Sequence, residues 1–197
     1  MTTLEQAIQT LLDTRAADLV RFAWGQKGTT FQKALPPLPV FDAQVVVSHL
    51  CRVQHGHNIG LVHLQMQATP NPLLSESIFE QGSGVWCETH LPVLSTLYWL
   101  AKGHAPPSSP YQWMVDGRPM LQWFFRIIDI TSLSAATLLH SELPGLLPLI
   151  PFTQDADSKT IERARQQLPT ALPRKQIEQL ETLLLFFWEY VQRSSTD

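Results

Sequence analysis

The chain has 197 residues, a net charge of −3 at pH 7 and only 16 % charged side chains, with a pI near 6.1, which excludes a strongly basic domain that holds nucleic acid by bulk charge. Hydrophobic residues reach 44 %, enough for a core that needs neither disulfides nor a structural metal. The two cysteines, Cys51 and Cys87, make no disulfide framework and favour a reduced, cytoplasmic setting; no apolar run reaches the roughly 18 residues of a membrane span, and the first ten residues lack a signal-peptide pattern.

In chain order, Leu4, Ile8, Leu11, Leu12, Leu19 and Phe22 recur at mostly three- and four-residue steps and predict a helix, with a break between Asp13 and Ala16. A proline run at Pro36, Pro37 and Pro39 ends that region. Phe41–Leu50 reads as a strand from its β-branched content, Gln54–Asn58 as a turn, and Ile59–Gln67 as a second strand. Alternation along that second strand puts Leu61, His63, Gln65 and Gln67 on one face and Val62, Leu64 and Met66 on the other. Leu73–His90 is a helix weakened by Gly82 and Gly84, and Leu91–Leu100 a buried strand. After the proline-rich loop Gly103–Pro110, Tyr111–Val115 and Asp116-Gly117 signal a hairpin, and Met120–Ile130 reads as one long strand. Ser134–Leu143 is a short helix, Leu146–Phe152 an apolar segment, and Ser158–Leu168 and Arg174–Arg193 helices. The order predicts an α/β fold, a mixed sheet flanked by helices.

The candidate sites are weighed against plain structural roles. His49, His55, His57 and His63 surround one turn, and a metal held by His57 and His63 fits no established zinc spacing, so structural or solvated histidines are the simpler reading. Cys51, at the end of an apolar strand, reads as a small core residue. Gly82-Ser83-Gly84 follows no strand and lacks the context of a phosphate loop, which leaves a helix kink or a close packing contact. Trp123, Phe124 and Phe125 have the chemistry to stack on bases, with a core role as the alternative. Phe187 and Trp188 could instead form a dimer face. Arg163, Arg165, Arg174 and Lys175 are interleaved with acids and read as solvated helix faces. The informative feature is the first hairpin, whose turn sets Asp42 roughly beside Gln65-Met66-Gln67, with both glutamines on one face. Two acids and a lysine so placed would bind a divalent ion and orient a water for phosphodiester cleavage; here only Asp42 is an acid.

These segments, in this order, resemble the recombination-promoting nuclease/putative transposase family of the PD-(D/E)XK nuclease superfamily, from about Asp42 to Leu168. Phe41-Asp42-Ala43 is similar to its Asp-bearing first strand, and Leu61–Gln67 to its Leu-Leu-His-Ile-Glu-Phe-Gln strand. Asn71-Pro72 before a helix, Leu91–Leu94, Asp116–Pro119 with Phe124–Arg126, and above all Leu143–Pro151 match later segments. The resemblance implies a restriction-endonuclease-like core over 1–152, a C-terminal helical appendage over 153–197, and Mg²⁺-dependent DNA cleavage in recombination. By that likeness Asp42 is the metal ligand and Gln67 orients the water. Gln65 stands where the family has Glu, and a neutral amide cannot supply the second negative ligand of a hard ion. Glu5 and Glu80, on the neighbouring predicted helices, are the acids that could replace it. A degenerate binding or assembly module, with DNA or protein as partner, or a structural homo-oligomer, is therefore carried beside the nuclease reading.

Overall fold

The computed structural model describes residues 3–25, 28–36, 48–168 and 172–194. Helix α1 (Leu4–Trp24) opens with a reciprocal cap, in which the Thr3 hydroxyl accepts from the Gln6 amide and the Gln6 side chain accepts from the Thr3 amide. Its expected stripe is buried at Ile8, Leu11, Leu12 and Leu19 and partly buried at Leu4 and Phe22, and the expected break falls at Arg15, whose φ of −133° and ψ of 18° kink the helix. Strand β1 (Thr29–Leu35), which the sequence reading passed over, follows; then come β2 (Ser48–His55) and β3 (Asn58–Gln67). The β2–β3 turn uses Gly56 at a φ of 59°, a conformation that costs a glycine little. The rest of the strand expected at Phe41–Leu50, including Asp42, lies outside the described residues.

Helix α2 (Leu74–Thr89) carries the chain across to β4 (Val93–Trp99), and the strands β5 (Tyr111–Val115), β6 (Arg118–Trp123) and β7 (Arg126–Asp129) come next. A short helix α3 (Ala135–Leu139), a 3-10 segment over Pro144–Phe152, and helices α4 (Ser158–Gln167) and α5 (Arg174–Ser194) complete the order. The main sheet has five strands in the order β1-β2-β3-β4-β7; β1, β2 and β3 run antiparallel in turn, whereas β3, β4 and β7 are parallel. A mixed sheet flanked by helices is thus the observed class, with a separate hairpin of β5 and β6. Among the described residues no helix is long and apolar enough to cross a membrane.

The strand expected over Met120–Ile130 is two strands. Between them Phe125 gives its backbone to a side chain rather than to a ladder: its N–H donates to the Ser109 hydroxyl at 3.1 Å, and that hydroxyl donates to its carbonyl at 2.6 Å. The proline loop therefore lifts the chain out of the hairpin and sends Arg126 into the main sheet.

Each face of the sheet is covered. On one side Cys51, Val53, Val62, Leu64, Met66 and Tyr98 share one core with α1, the 3-10 segment, α4 and α5. On the other, α2 and the hairpin enclose Leu97, Trp99, Phe125 and Trp123. Phe187, expected on a dimer face, is instead fully buried in the first core, edge-on to Phe152 at 5.4 Å.

Gly82 is a close-packing contact, not a kink, since α2 runs through it unbroken. A Cβ there would lie 2.7 Å from the Trp123 ring and 2.8 Å from the Ser95 hydroxyl, which accepts the Trp123 indole N–H. Gly82→Ala is expected to lower the urea midpoint: crowding costs about 1–3 kcal/mol, more than the helix-propensity gain of about 1 kcal/mol. A raised midpoint would mean that the helix and the hairpin can part freely.

Candidate functional site

Strand β3 places His63, Gln65 and Gln67 on the α2 side of the sheet, because side chains alternate along a strand and the other set packs under α1. Strand β4 sets Ser95 beside His63, Leu97 beside Gln65 and Trp99 beside Gln67. Parallel strands buried on both sides lose the polar-out pattern, and His63 and Gln65 are accordingly 0 % and 1 % exposed.

The polar atoms sealed in this layer are met from α2. Gln81 interrupts an otherwise apolar buried stripe of Leu74, Ile78 and Val85. Its Oε1 accepts from Gln65 Nε2 at 2.9 Å, and its Nε2 donates to the Ser77 hydroxyl at 3.3 Å. The Oε1 of Gln65 is buried with no partner among the described residues. An unmet acceptor of this kind costs about 1–3 kcal/mol. Gln67, at the end of β3, donates from its amide to the carbonyl and hydroxyl of Thr69, so its N–H groups hold the turn that follows the strand.

His63 is held neutral by burial, which pushes its pKa down to about 4, with the polar Gln81 side chain opposing weakly. An unfolded histidine titrates near 6.5, so between those values the unfolded chain binds the extra proton and stability rises with pH. Stability should fall by roughly 3 kcal/mol as pH drops from about 7 to 4 through this residue alone, and His63→Gln should remove most of that slope in urea titrations at stepped pH. An unchanged slope would place the acid sensitivity elsewhere.

Magnesium, which the resemblance implies, prefers charged oxygen ligands in octahedral array. At this end of β3 the described donors are amides, and no group of three His, Cys, Asp or Glu side chains able to hold a metal occurs among the described residues. The described residues do not fit the ion. Asp42, the expected metal ligand, lies outside them. Glu5 and Glu80 are both exposed, on α1 and α2 respectively.

The remaining candidates fall to structural roles. Cys51 is fully buried and its thiol is pushed up to about 12 by burial, so it is no nucleophile at neutral pH. His57 is exposed in the turn while His63 is sealed inside. Trp123 packs edge-on to Phe79 and Phe125 is buried; of the three aromatics proposed for stacking only Phe124, 70 % exposed, faces solvent. Arg165 bridges to Glu162 and Glu181, and Arg174 to Glu178, as solvated helix faces do. Gln81 is the residue that sequence reasoning missed, and its signal was a lone amide in an apolar helical stripe. Set against family models, curated proteins and solved structures, the chain finds no match in any of the three.

Proposed function

We propose that the chain is a disarmed PD-(D/E)XK-type nuclease domain, akin to the recombination-promoting nuclease/putative transposase family, that works as a binding or assembly module rather than by cleaving DNA. The observation that carries this reading is Gln65. An amide stands where the catalytic carboxylate would be, and it is tied at 2.9 Å to Gln81 in a buried layer. A helix, three antiparallel strands, a second helix and a fourth strand parallel to the third, with Gln65-Met66-Gln67 closing the third, is the order that supports the nuclease-like architecture.

The test is plasmid nicking with Mg²⁺ or Mn²⁺ by the natural protein, Gln65→Glu, and Gln65→Glu combined with Asp42→Ala. The natural protein should leave plasmid intact, Gln65→Glu should nick it, and the double variant should not. Cleavage by the natural protein that Asp42→Ala abolishes would instead make it a working metal-dependent nuclease, with Asp42 on the metal and Gln67 on the water. No cleavage by any of the proteins would remove the nuclease-derived reading of the site. The partner class separates by salt, since affinity for a DNA backbone falls steeply as salt rises.

A further inference from the structure

The opposite face of the sheet carries a second, unrelated feature. Arg126 opens β7, paired with Thr96 of β4, and Thr96 pairs in turn with Leu64, on the α1 side of β3. Its guanidinium lies 5.0 Å from the centre of the Trp24 ring, and the Trp24 indole N–H is fixed on the Thr96 hydroxyl at 2.8 Å. A guanidinium over an aromatic ring is attracted to its face and still has N–H groups to offer an anion. Beside it, Arg21 projects from the last turn of α1. Both arginines line one open cleft of about 670 Å³ between α1, β7 and α3, whose other walls include Phe22, Ile128 and Leu143. Among the described residues no acidic side chain lines the cleft, and neither guanidinium has an ion pair or a hydrogen bond. The Ser141 hydroxyl at the rim already donates to the Leu138 carbonyl, so the arginines are the strong donors left.

Two guanidinium groups beside an apolar wall offer charged donors to an anion that has an apolar body, and the volume is that of a small-molecule site. We propose that this cleft binds a small organic anion, a phosphate or carboxylate group held by Arg21 and Arg126 with an apolar body against Phe22, Ile128 and Leu143. The chain's net charge of −3 argues against a nucleic-acid backbone as the occupant. The proposal does not rest on the nuclease-like reading, whose residues lie on the other face.

The experiment is calorimetric titration of the full chain with phenyl phosphate, inorganic phosphate and a short DNA duplex, repeated on Arg21→Gln and Arg126→Gln. Phenyl phosphate should bind at one site, roughly tenfold or more tighter than inorganic phosphate, and each variant should weaken it by about ten- to a hundredfold. Arg21 is exposed, so Arg21→Gln should keep the natural unfolding midpoint and remains decisive if Arg126→Gln folds poorly. Absent phenyl phosphate binding, binding indifferent to Arg21→Gln, or a duplex that binds and is lost with the same arginines would each overturn the proposal.

Discussion

Phe187→Ala is expected to cost about 3–5 kcal/mol, about a fifth or more of the stability of an ordinary domain. Along α5 the buried residues Leu180, Leu183, Leu184, Phe187 and Val191 form one stripe at helical spacing. That stripe clamps the 3-10 segment Pro144–Phe152, every residue of which from Gly145 on is buried. The segment cannot stabilise itself: its prolines at 148 and 151 supply no N–H, and a 3-10 run of such length is weak. It is held by packing from both sides, by α5 through Phe152 and by α1, whose Asp18 carboxylate accepts the Gly145 N–H at 2.8 Å. Removing the Phe187 ring therefore opens a cavity where two elements depend on it. Trp188, half-buried on the flank of the same helix, should cost clearly less when truncated. The measurement is urea unfolding followed by both tryptophan fluorescence and circular dichroism. One shared transition, shifted strongly by Phe187→Ala, is the expected result. Two transitions, with the sheet outlasting the C-terminal helices, would mean that residues 153–197 form a separate appendage.

The elements that were legible in the sequence are those whose own residues fix them. The α1 stripe, the Gly56 turn and the Asp116-Gly117 hairpin each follow from local periodicity or from a residue suited to positive φ. Strand β1 was not legible because its burial is scattered along an edge, with only Thr29 fully buried, so no clean alternation marks it. The split at Phe124–Phe125 was hidden for another reason. Nothing in an apolar run announces that Ser109, sixteen residues earlier, takes both backbone groups of Phe125. The site shows the same limit. Gln65 and Gln67 were found on the correct face by alternation, but the partner that seals Gln65 comes from another element, sixteen residues on, and only tertiary packing brings Gln81 to it. Arg21 and Arg126 were invisible as a pair, since 105 positions separate them and the sheet alone brings them to one cleft.

Gln65→Glu should do more than restore a motif; it should destabilise the metal-free protein in a pH-dependent way that the metal reverses. The position is 1 % exposed, so desolvation disfavours the ionised carboxylate and raises its folded pKa above the unfolded value near 4.3. Gln81 can reverse its amide and donate to the new carboxylate, which offsets part of that cost but turns its oxygen, in place of the present N–H donor, toward the Ser77 hydroxyl. A group whose folded pKa is raised contributes its stability below the unfolded pKa and loses it as pH rises through the folded one. Relative to the natural protein the variant should thus be near parity at pH 4 and weaker by about 2–5 kcal/mol at pH 8. That trend opposes the one set by His63, two residues away on the same face, where burial favours the neutral ring and stability grows with pH. The two can also compensate, because an ionised carboxylate beside His63 favours its imidazolium, and the variant's acid sensitivity should then be smaller than the natural protein's. Divalent metal discriminates a disarmed site from a merely polar layer. If Asp42 and the new carboxylate meet, Mg²⁺ at a hundred times its dissociation constant adds about 2.7 kcal/mol to the variant and leaves the natural protein unmoved. Thermal unfolding with and without Mg²⁺, on both proteins and on the variant carrying Asp42→Ala, reads this directly. Equal responses in all three would sink the nuclease ancestry of the site even if the fold is intact.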